Sequence, residues 1–282
     1  MSNLISVSSL SGGKTSSYMA IRYPTDLYVF AVVLTSHELS APKDKGLLRE
    51  CKNRIPHFIA THESDKTLVN ILKLEQMIGK QIKWVSSEYT LDDYIYGNTL
   101  EPGYRKNRKG FLPTKHNRFC TTKMKVEPIS NYLYSNYYNG LPFLINIGFR
   151  YDEPNRVKNW TCEKDKYLIS THCDVRTRRH KHNKIDFRIS QFPLYEEKIT
   201  HTQIQSFWRS VNWTFPDISN CRFCFHHRNE ELRRNAILEN DNFQWWKEAE
   251  NRTGKTFYKI SLEDRIKNSS KNKDVSSCFC TD

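Results

Sequence analysis

The chain lacks any run of about 18 consecutive apolar residues, the minimum for a helix that crosses a membrane. It also lacks a basic segment followed by an apolar core near its first residue, so we expect no secretory leader. Internal repeats are absent as well, which argues against a repeat architecture. We therefore expect a cytoplasmic protein with no membrane partner. Hydrophobic residues make up 38% of the 282, enough to build a packed core.

The eight cysteines do not form the disulfide framework of a small secreted domain, because the chain is long and no leader is expected. They should be mostly reduced, and closely spaced pairs among them then indicate metal or redox chemistry. Cys51, Cys162 and Cys173 have no recognisable partner spacing, and we interpret them as structural or incidental.

Basic residues outnumber acidic ones by 44 to 31, and two stretches, residues 105–118 and 176–184, hold most of the net charge of +13. Such patches attract polyanions. The sequence leaves three readings open: a nucleic-acid partner, a funnel for a multiply phosphorylated nucleotide, and an ordinary basic surface. The residues concerned are Arg105, Lys106, Arg108, Lys109, Lys115 and Arg118, then Arg176, Arg178, Arg179, Lys181 and Lys184.

The most informative segment follows a short apolar run, residues 4–7, and leads into a predicted helix. A strand, a glycine turn and a helix start form a phosphate cradle, because glycines let the backbone approach and the helix amides point at the anion. A lysine adds charge and three hydroxyl groups add donors. The candidate nucleotide-binding residues are Ser11, Gly12, Gly13, Lys14, Thr15 and Ser16, and Lys14 is also a catalytic candidate.

Gly13 and Lys14 invite comparison with the Walker A motif, which needs a further glycine five positions before its Gly-Lys pair. Ser8 occupies that position, so the motif does not fit. The segment instead resembles the PP-loop, Ser-Gly-Gly-x-x-Ser, of ATP pyrophosphatases and of phosphoadenylyl sulfate (PAPS) reductases. Thr15 departs from the aspartate that many PP-loop enzymes carry.

Predicted strands and helices alternate over the first 150 residues, which indicates a parallel sheet with ligands at the carboxyl ends of its strands. Ser64 and Gly79 are the predicted start and stop of one helix, and Pro128 must kink another or mark its real start. Strands are predicted over residues 27–35, 82–85 and 142–149, and helices over residues 64–80, 121–138, 200–211 and 229–250.

Two further segments resemble PAPS reductase-like proteins. Cys120, followed by a lysine and Pro128, is similar to their Cys-x-x-x-x-Lys-x-x-Pro segment, although Thr121 stands where cluster-binding relatives have a second cysteine. Later, the residues from 148 to 156 are similar to Gly-x-Arg-x-x-Glu-Ser-x-Arg, with Pro154 in place of the serine. Arginine forks suit bidentate contacts to phosphate or sulfate. The resemblance therefore adds Gly148, Arg150 and Arg156 to the nucleotide-binding candidates.

A Pro-Leu strand end at residues 193–194, a helix that contains Trp208, and the pair Cys221 and Cys224 complete the resemblance. Such a pair spaces two thiolates for one metal. Together with Cys120, the pair resembles the three cysteines that hold a cluster in some tRNA thiolases. The expected cofactor is a [4Fe–4S] cluster, with zinc as second choice and the fourth ligand open.

The tail ends in two cysteines, of which Cys280 is the second. PAPS reductases carry a catalytic cysteine near their C-terminus in a Glu-Cys-Gly-x-His sequence, which this chain lacks. By position alone Cys280 is a candidate nucleophile, and a thioredoxin-like reductant is then an implied partner.

The resemblance implies a Rossmann-like α/β fold of the HUP type over residues 1–195 and a helical, cysteine-bearing region over residues 196–282. It implies an enzyme that acts at the α-phosphate or sulfonyl end of ATP or PAPS in sulfur transfer, with Mg²⁺ where ATP is the substrate. One alternative is ATP-dependent thiolation of nucleic acid with an iron–sulfur cluster. A second is a nucleotide-binding or nucleic-acid-binding protein without turnover.

Overall fold

The computed structural model describes residues 4–99, 110, 112–160, 165–174, 179–215 and 221–267. The strands are β1 (Ser6–Leu10), β2 (Leu27–Val32), β3 (Leu34–Thr35), β4 (Ala60–Thr61), β5 (Ile82–Ser86), β6 (Phe143–Asn146), β7 (Lys166–Asp174), β8 (Arg179–Asp186) and β9 (Arg188–Gln191). The helices are α1 (Lys14–Arg22), α2 (Lys45–Arg54), α3 (Asp65–Ile78), α4 (Leu91–Tyr96), α5 (Phe119–Thr121), α6 (Glu127–Tyr137), α7 (Pro154–Lys158), α8 (Pro193–Glu196), α9 (His201–Ser210), α10 (Asn229–Leu238), α11 (Asn240–Thr253) and α12 (Leu262–Lys267).

Five strands form one sheet in the spatial order β5-β2-β1-β6-β9, and every neighbouring pair is parallel. The chain starts in the middle of the sheet, runs to one edge through β2 and β5, and then builds the other half with β6 and β9. Helices flank the sheet, so the prediction of an α/β fold with a parallel sheet is confirmed.

Strand β2 shows why this part of the sequence is continuously apolar. Tyr28 and Phe30 pack into a core with α1, α2 and α3, whereas Val29 and Ala31 belong to a second core with α6. Successive side chains of a strand point to opposite faces of the sheet. A central strand that is covered by helices on both faces therefore needs an apolar residue at every position.

The strand predicted over residues 27–35 is in fact two strands. β2 ends at Val32, and β3 then pairs antiparallel with β4 in a separate small sheet. A second element that the pattern did not predict is the antiparallel hairpin of β7 and β8, which lies outside the main sheet. Both pairings depend on a partner segment, which hydrophobic periodicity within one segment does not reveal.

The ends of α3 lie where the sequence predicts them, whereas one helix predicted in the C-terminal region is divided in the structure. Ser64 caps α3 with its side chain, and Gly79 ends it in the left-handed conformation at φ +64°, as predicted. The helix predicted over residues 229–250 is divided into α10 and α11 because Glu239 leaves the helical conformation, with φ −134° and ψ 58°.

The helical run around Pro128 is continuous from α5 to α6. The residues between them, Thr122–Val126, form a π-helical turn in which the Glu127 N–H bonds to the Thr122 carbonyl. Proline has no N–H to offer to the carbonyl four residues earlier, and its ring crowds that carbonyl. The wider turn just before Pro128 fits this requirement without a break in the helix.

Residues on both sides of position 195 share one core, in which Met19 of α1 and Leu194 pack with Ile204 and Trp208 of α9. The helices α10, α11 and α12 form another core with α4. The division at 195/196 stays a prediction. In the described ranges, each helix is either too short or too polar to cross a membrane.

Candidate functional site

The strand order reverses direction between β1 and β6, which are parallel neighbours in the sheet. In open α/β sheets such a reversal leaves a crevice at the carboxyl ends of the two strands, where ligands bind. The Ser11–Ser16 segment, called the loop below, follows β1, and the segment that carries Arg150 follows β6. The fold thus places both predicted anion-binding segments at the same crevice.

Gly12 has the backbone conformation that gives the loop its shape. Its φ of +72° lies in the left-handed region, and a Cβ atom there would approach the Thr67 methyl carbon to 2.6 Å. Gly13 is the N-cap of α1, and none of the described side chains caps the helix there. The amides of the first turn of α1 therefore keep their capacity to bind an anion at the crevice.

Two serines at the ends of the loop hold it closed. The Ser16 hydroxyl accepts a hydrogen bond from the Ser11 N–H at 3.2 Å, and the two hydroxyl oxygens lie 3.0 Å apart. Ser16 also donates to the Gly13 carbonyl at 3.2 Å. Ser16 is buried and acts as an internal tie, whereas Ser11, Lys14 and Thr15 are half-buried at the surface of the site.

Arg150 connects the two sides of the crevice. Its Nη1 donates to the Thr15 hydroxyl at 3.3 Å. Its Nε donates to Asp152 at 3.1 Å, and its Nη2 lies 3.2 Å from Glu153. Gly148 lies beside the loop, since a Cβ there would be in ordinary van der Waals contact with the Thr15 methyl carbon, at 3.4 Å. A guanidinium held by two carboxylates is fixed in orientation beside the helix start.

Arg156 reaches the same acidic side chain from one helical turn further on. Its Nη1 lies 3.2 Å from Glu153, and its guanidinium stacks on the Phe149 ring at 4.1 Å. Glu153 is therefore shared by both predicted arginines, and its side chain is only 9% exposed. Glu153 thus lies between the two arginines and fixes their positions relative to each other.

His201 is a site residue that sequence reasoning missed. Its backbone N–H donates at 3.4 Å to the Asp152 carboxylate that also holds Arg150. Burial, followed by the charge of Arg150, lowers the pKa of the His201 imidazole, and Lys14 contributes in the same direction. The sequence carries no signal for this placement beyond the helix start at Thr200, because the neighbours of His201 are distant along the chain.

The three predicted metal ligands lie in one region of the fold. Cys120 and Cys221 pack against the core of α4 and the C-terminal helices, and Cys224 is buried. The Cys221 thiol lies 3.9 Å from the buried Glu63 carboxylate, which pairs with Lys125 at 3.1 Å. Among the described residues, no three His, Cys, Asp or Glu side chains are placed so that they could hold a metal ion. The described thiols thus do not fit a formed cluster or zinc site, and the metal assignment stays a prediction.

Several predicted residues lie outside the part of the chain that the structure describes. Cys280 is one of them, and the side chains of eight of the eleven basic residues in the two basic stretches are not described either. Of the basic side chains that are described there, Lys115 and Lys184 are exposed and Arg118 is half-buried. The predictions of a nucleophilic tail cysteine and of a nucleic-acid surface therefore remain predictions.

The comparisons with known proteins found no matching family model, no matching curated protein and no matching solved structure. The resemblance to PP-loop proteins therefore rests on the residues quoted above, and the arrangement of those residues at the crevice is the basis for assigning a function.

Proposed function

We propose that the chain binds an adenine nucleotide by its phosphates at the loop and acts at the α-phosphate of ATP, or at the sulfonyl end of PAPS, in sulfur transfer. The observation that carries this proposal is the hydrogen bond between Arg150 and Thr15. It brings a fixed guanidinium to the start of α1, so the donors from two separate strands converge on one place.

The strand order supports the finer assignment of the fold to the HUP type. Numbered along the chain, the five strands of the sheet follow the order 3-2-1-4-5, with all neighbours parallel. The loop after the first strand and the segment after the fourth then border the crevice where this class of fold binds ligands.

Each side chain at the crevice has a distinct capacity toward a phosphate. The amides of the first turn of α1 donate to its oxygens, and Lys14 adds a charge that counters the negative charge developing at the bond that breaks. The Thr15 hydroxyl accepts from Arg150 and keeps its own hydrogen for an anion oxygen. An arginine has five N–H groups, and the three contacts of Arg150 leave two of them for the ligand.

These capacities suit a reaction in which a phosphorus–oxygen or sulfur–oxygen bond next to the α-phosphorus breaks. The site supplies positioning and charge stabilisation for either nucleotide. No step of this proposal passes through a metal, because the described cysteines do not form a metal site. Mg²⁺ would enter with ATP, bound to its phosphates.

The test is calorimetric titration of the full chain with ATP and, separately, with PAPS, followed by analysis of the products. Lys14→Ala should weaken binding by about tenfold or more, because it removes a charged donor to the ligand. Ser11→Ala should also weaken binding, because it removes the contact with Ser16 that holds the loop closed. Lys52→Ala is the matched control, since Lys52 is an exposed lysine on α2. Equal affinity of Lys14→Ala and the unchanged chain would contradict the proposal.

The products distinguish the alternatives. Pyrophosphate and AMP from ATP alone support an ATP pyrophosphatase, and sulfite from PAPS in the presence of a thiol reductant supports a reductase. Release of pyrophosphate that requires added nucleic acid favours the thiolation alternative. Nucleotide binding without any of these products would leave a non-catalytic nucleotide-binding protein.

A further inference from the structure

Two tryptophans from the C-terminal side of the chain hold the backbone of the loop. Trp208 of α9 donates its indole N–H to the Lys14 carbonyl at 2.9 Å, although 194 positions separate the two residues. Trp213 donates to the side chain of Asn70 at 3.0 Å, and the Asn70 amide lies 3.4 Å from the Gly12 carbonyl. Both contacts end on carbonyl groups of the loop.

A carbonyl that is held in place also fixes the amide next to it. The C=O of one residue and the N–H of the following residue share a planar peptide unit and point in opposite directions. The contact at the Gly12 carbonyl therefore orients the Gly13 N–H, and the contact at the Lys14 carbonyl orients the Thr15 N–H. These amides belong to the helix start that has no intrahelical partner for its N–H groups.

The two indoles are themselves held by packing. Trp208 is 2% exposed, and its ring lies 4.5 Å from the Phe215 ring and 5.5 Å from the Trp213 ring. Trp213 stacks on Phe215 at 5.8 Å. Met19 of α1 belongs to the same core. The hydrogen bonds of both indoles are partly buried, so water competes with them less than it would at the surface.

The loop needs this support because of Gly12. Gly12 lies in the left-handed conformation just after a strand, where the backbone makes few regular hydrogen bonds. Glycine also loses more conformational entropy than any other residue when the chain folds. An anion-binding loop that is already in its binding conformation loses less free energy on binding than one that must be ordered first.

We propose that Trp208 and Trp213 are positioning residues that keep the peptide units of Gly12 and Lys14 oriented for the nucleotide phosphates. This inference rests on the proposed function and deepens it. It assigns to the segment after residue 200 a direct part in the phosphate site. The binding energy of the nucleotide is then coupled to the packing of the tryptophans.

The first test compares Trp208→Phe and Trp213→Phe with Trp84→Phe, in the full chain, by titration with ATP and with PAPS. Trp84 is the matched control, because its indole nitrogen has no hydrogen-bond partner among the described residues. Each loop-side variant should bind nucleotide about three- to tenfold more weakly, the effect of one lost hydrogen bond, while Trp84→Phe binds like the unchanged chain.

The second test measures the response of the unchanged chain to nucleotide and uses the variants only to assign the signals. The chain is labelled with 5-fluorotryptophan, and the ¹⁹F resonances of its six tryptophans are assigned from single Trp→Phe variants. Addition of ATP or PAPS should shift the signals of Trp208 and Trp213 and leave that of Trp84 in place. A role in folding alone would not produce this ligand-dependent shift.

The outcomes separate the two proposals. Wild-type affinity in both loop-side variants, or a nucleotide-saturated spectrum with unmoved Trp208 and Trp213 signals, would overturn the positioning role and leave the proposed function intact. If the unchanged chain bound neither nucleotide, both proposals would fall. If Trp208→Phe does not fold, Trp213→Phe and the labelled chain decide, since Trp213 is only half-buried.

Discussion

Arg150 and Thr15 are 135 positions apart in the chain, yet the guanidinium of one donates to the hydroxyl of the other at 3.3 Å. The contact joins the end of β6 to the start of α1 across the point where the strand order reverses. It brings two separate sequence segments together at the proposed anion-binding site, and the parts of this site can be tested separately.

The branched geometry of the Arg150 guanidinium should contribute more to nucleotide binding than its positive charge alone. Its three contacts use three different nitrogens, and lysine offers a single ammonium group that cannot reproduce this geometry. Arg150→Lys should therefore weaken nucleotide binding by about tenfold, as expected for the loss of a charge-assisted hydrogen bond. Calorimetric titration with ATP and PAPS measures this. Arg209→Lys, at an exposed position of α9, is the control and should bind normally.

Gly12 should tolerate no side chain. Gly12→Ala combines a left-handed backbone with a 2.6 Å approach to the Thr67 methyl carbon, whereas Gly79→Ala has a similar φ of +64° and open space around it. We expect Gly79→Ala to lower the free energy of unfolding by about 1–2 kcal/mol, the cost of the backbone conformation alone. Gly12→Ala should cost clearly more and should also weaken nucleotide binding. Urea unfolding of both variants checks this, and equal losses would show that the Thr67 contact is unimportant.

The loop, its fold context and the ends of α3 could be predicted because their signals are local. Ser64 and Gly79 mark the ends of α3 through the conformations and side-chain bonds of the residues at those ends. The Ser-Gly-Gly turn between an apolar run and a helix is also recognisable from neighbouring residues alone. Such features depend on neighbours in the sequence, so the sequence alone contains the necessary information.

The supporting contacts of the site could not be predicted, because they depend on residues far apart in the chain. Trp208 belongs to a segment that resembles PAPS reductase-like proteins, but nothing in its surroundings shows that it bonds to the Lys14 carbonyl. The same holds for His201 beside Asp152 and for the small sheet of β3 and β4. Each follows from how helices and strands meet in space, after the local structure has formed.

Acid should destabilise the protein through His62. This side chain is fully buried against Trp245 and Trp246, with ring centroids 4.4 Å and 5.1 Å away. Burial lowers its pKa to about 3, Arg222 and His37 act in the same direction, and Asp92 opposes them.

The sign of the pH dependence follows from where the proton binds. Below the ordinary histidine pKa of about 6.5, His62 is protonated in the unfolded chain but stays neutral in the folded chain. The free energy of unfolding therefore falls as the pH falls from 6.5 toward 3. Between pH 7 and pH 5 this loss is on the order of 2 kcal/mol. Urea unfolding at both pH values should show a smaller loss for His62→Gln. His57→Gln, which replaces an exposed histidine, should keep the full loss. If the free energy of unfolding of His62→Gln fell as much between pH 7 and pH 5 as that of the unchanged chain, His62 would not be the cause of the acid sensitivity.

Arg222 should be the main anchor of the segment between Cys221 and Cys224. It is 5% exposed, donates to the Thr61 carbonyl at 2.7 Å and to Asp65 at 3.0 Å, and pairs with Glu239. Arg222→Leu would leave two carboxylates without their cation, and burial already raises the pKa of Glu239. We expect a loss of about 1–3 kcal/mol in the free energy of unfolding, because the buried hydrogen bonds of Arg222 are lost while the carboxylates of Asp65 and Glu239 keep partial contact with solvent.

A second substitution shows whether the unpaired charge is the cause. Glu239→Gln in the Arg222→Leu background removes one of the two stranded carboxylates, so the double variant should recover part of the lost stability in urea unfolding. Arg209→Leu, at an exposed arginine, should change stability by less than about 0.5 kcal/mol. If the loss of unfolding free energy in the double variant equalled the sum of the losses in Arg222→Leu and Glu239→Gln alone, the charges of Arg222 and Glu239 would act independently. The segment between the cysteines would then be held by the packing of its side chains rather than by this ion pair.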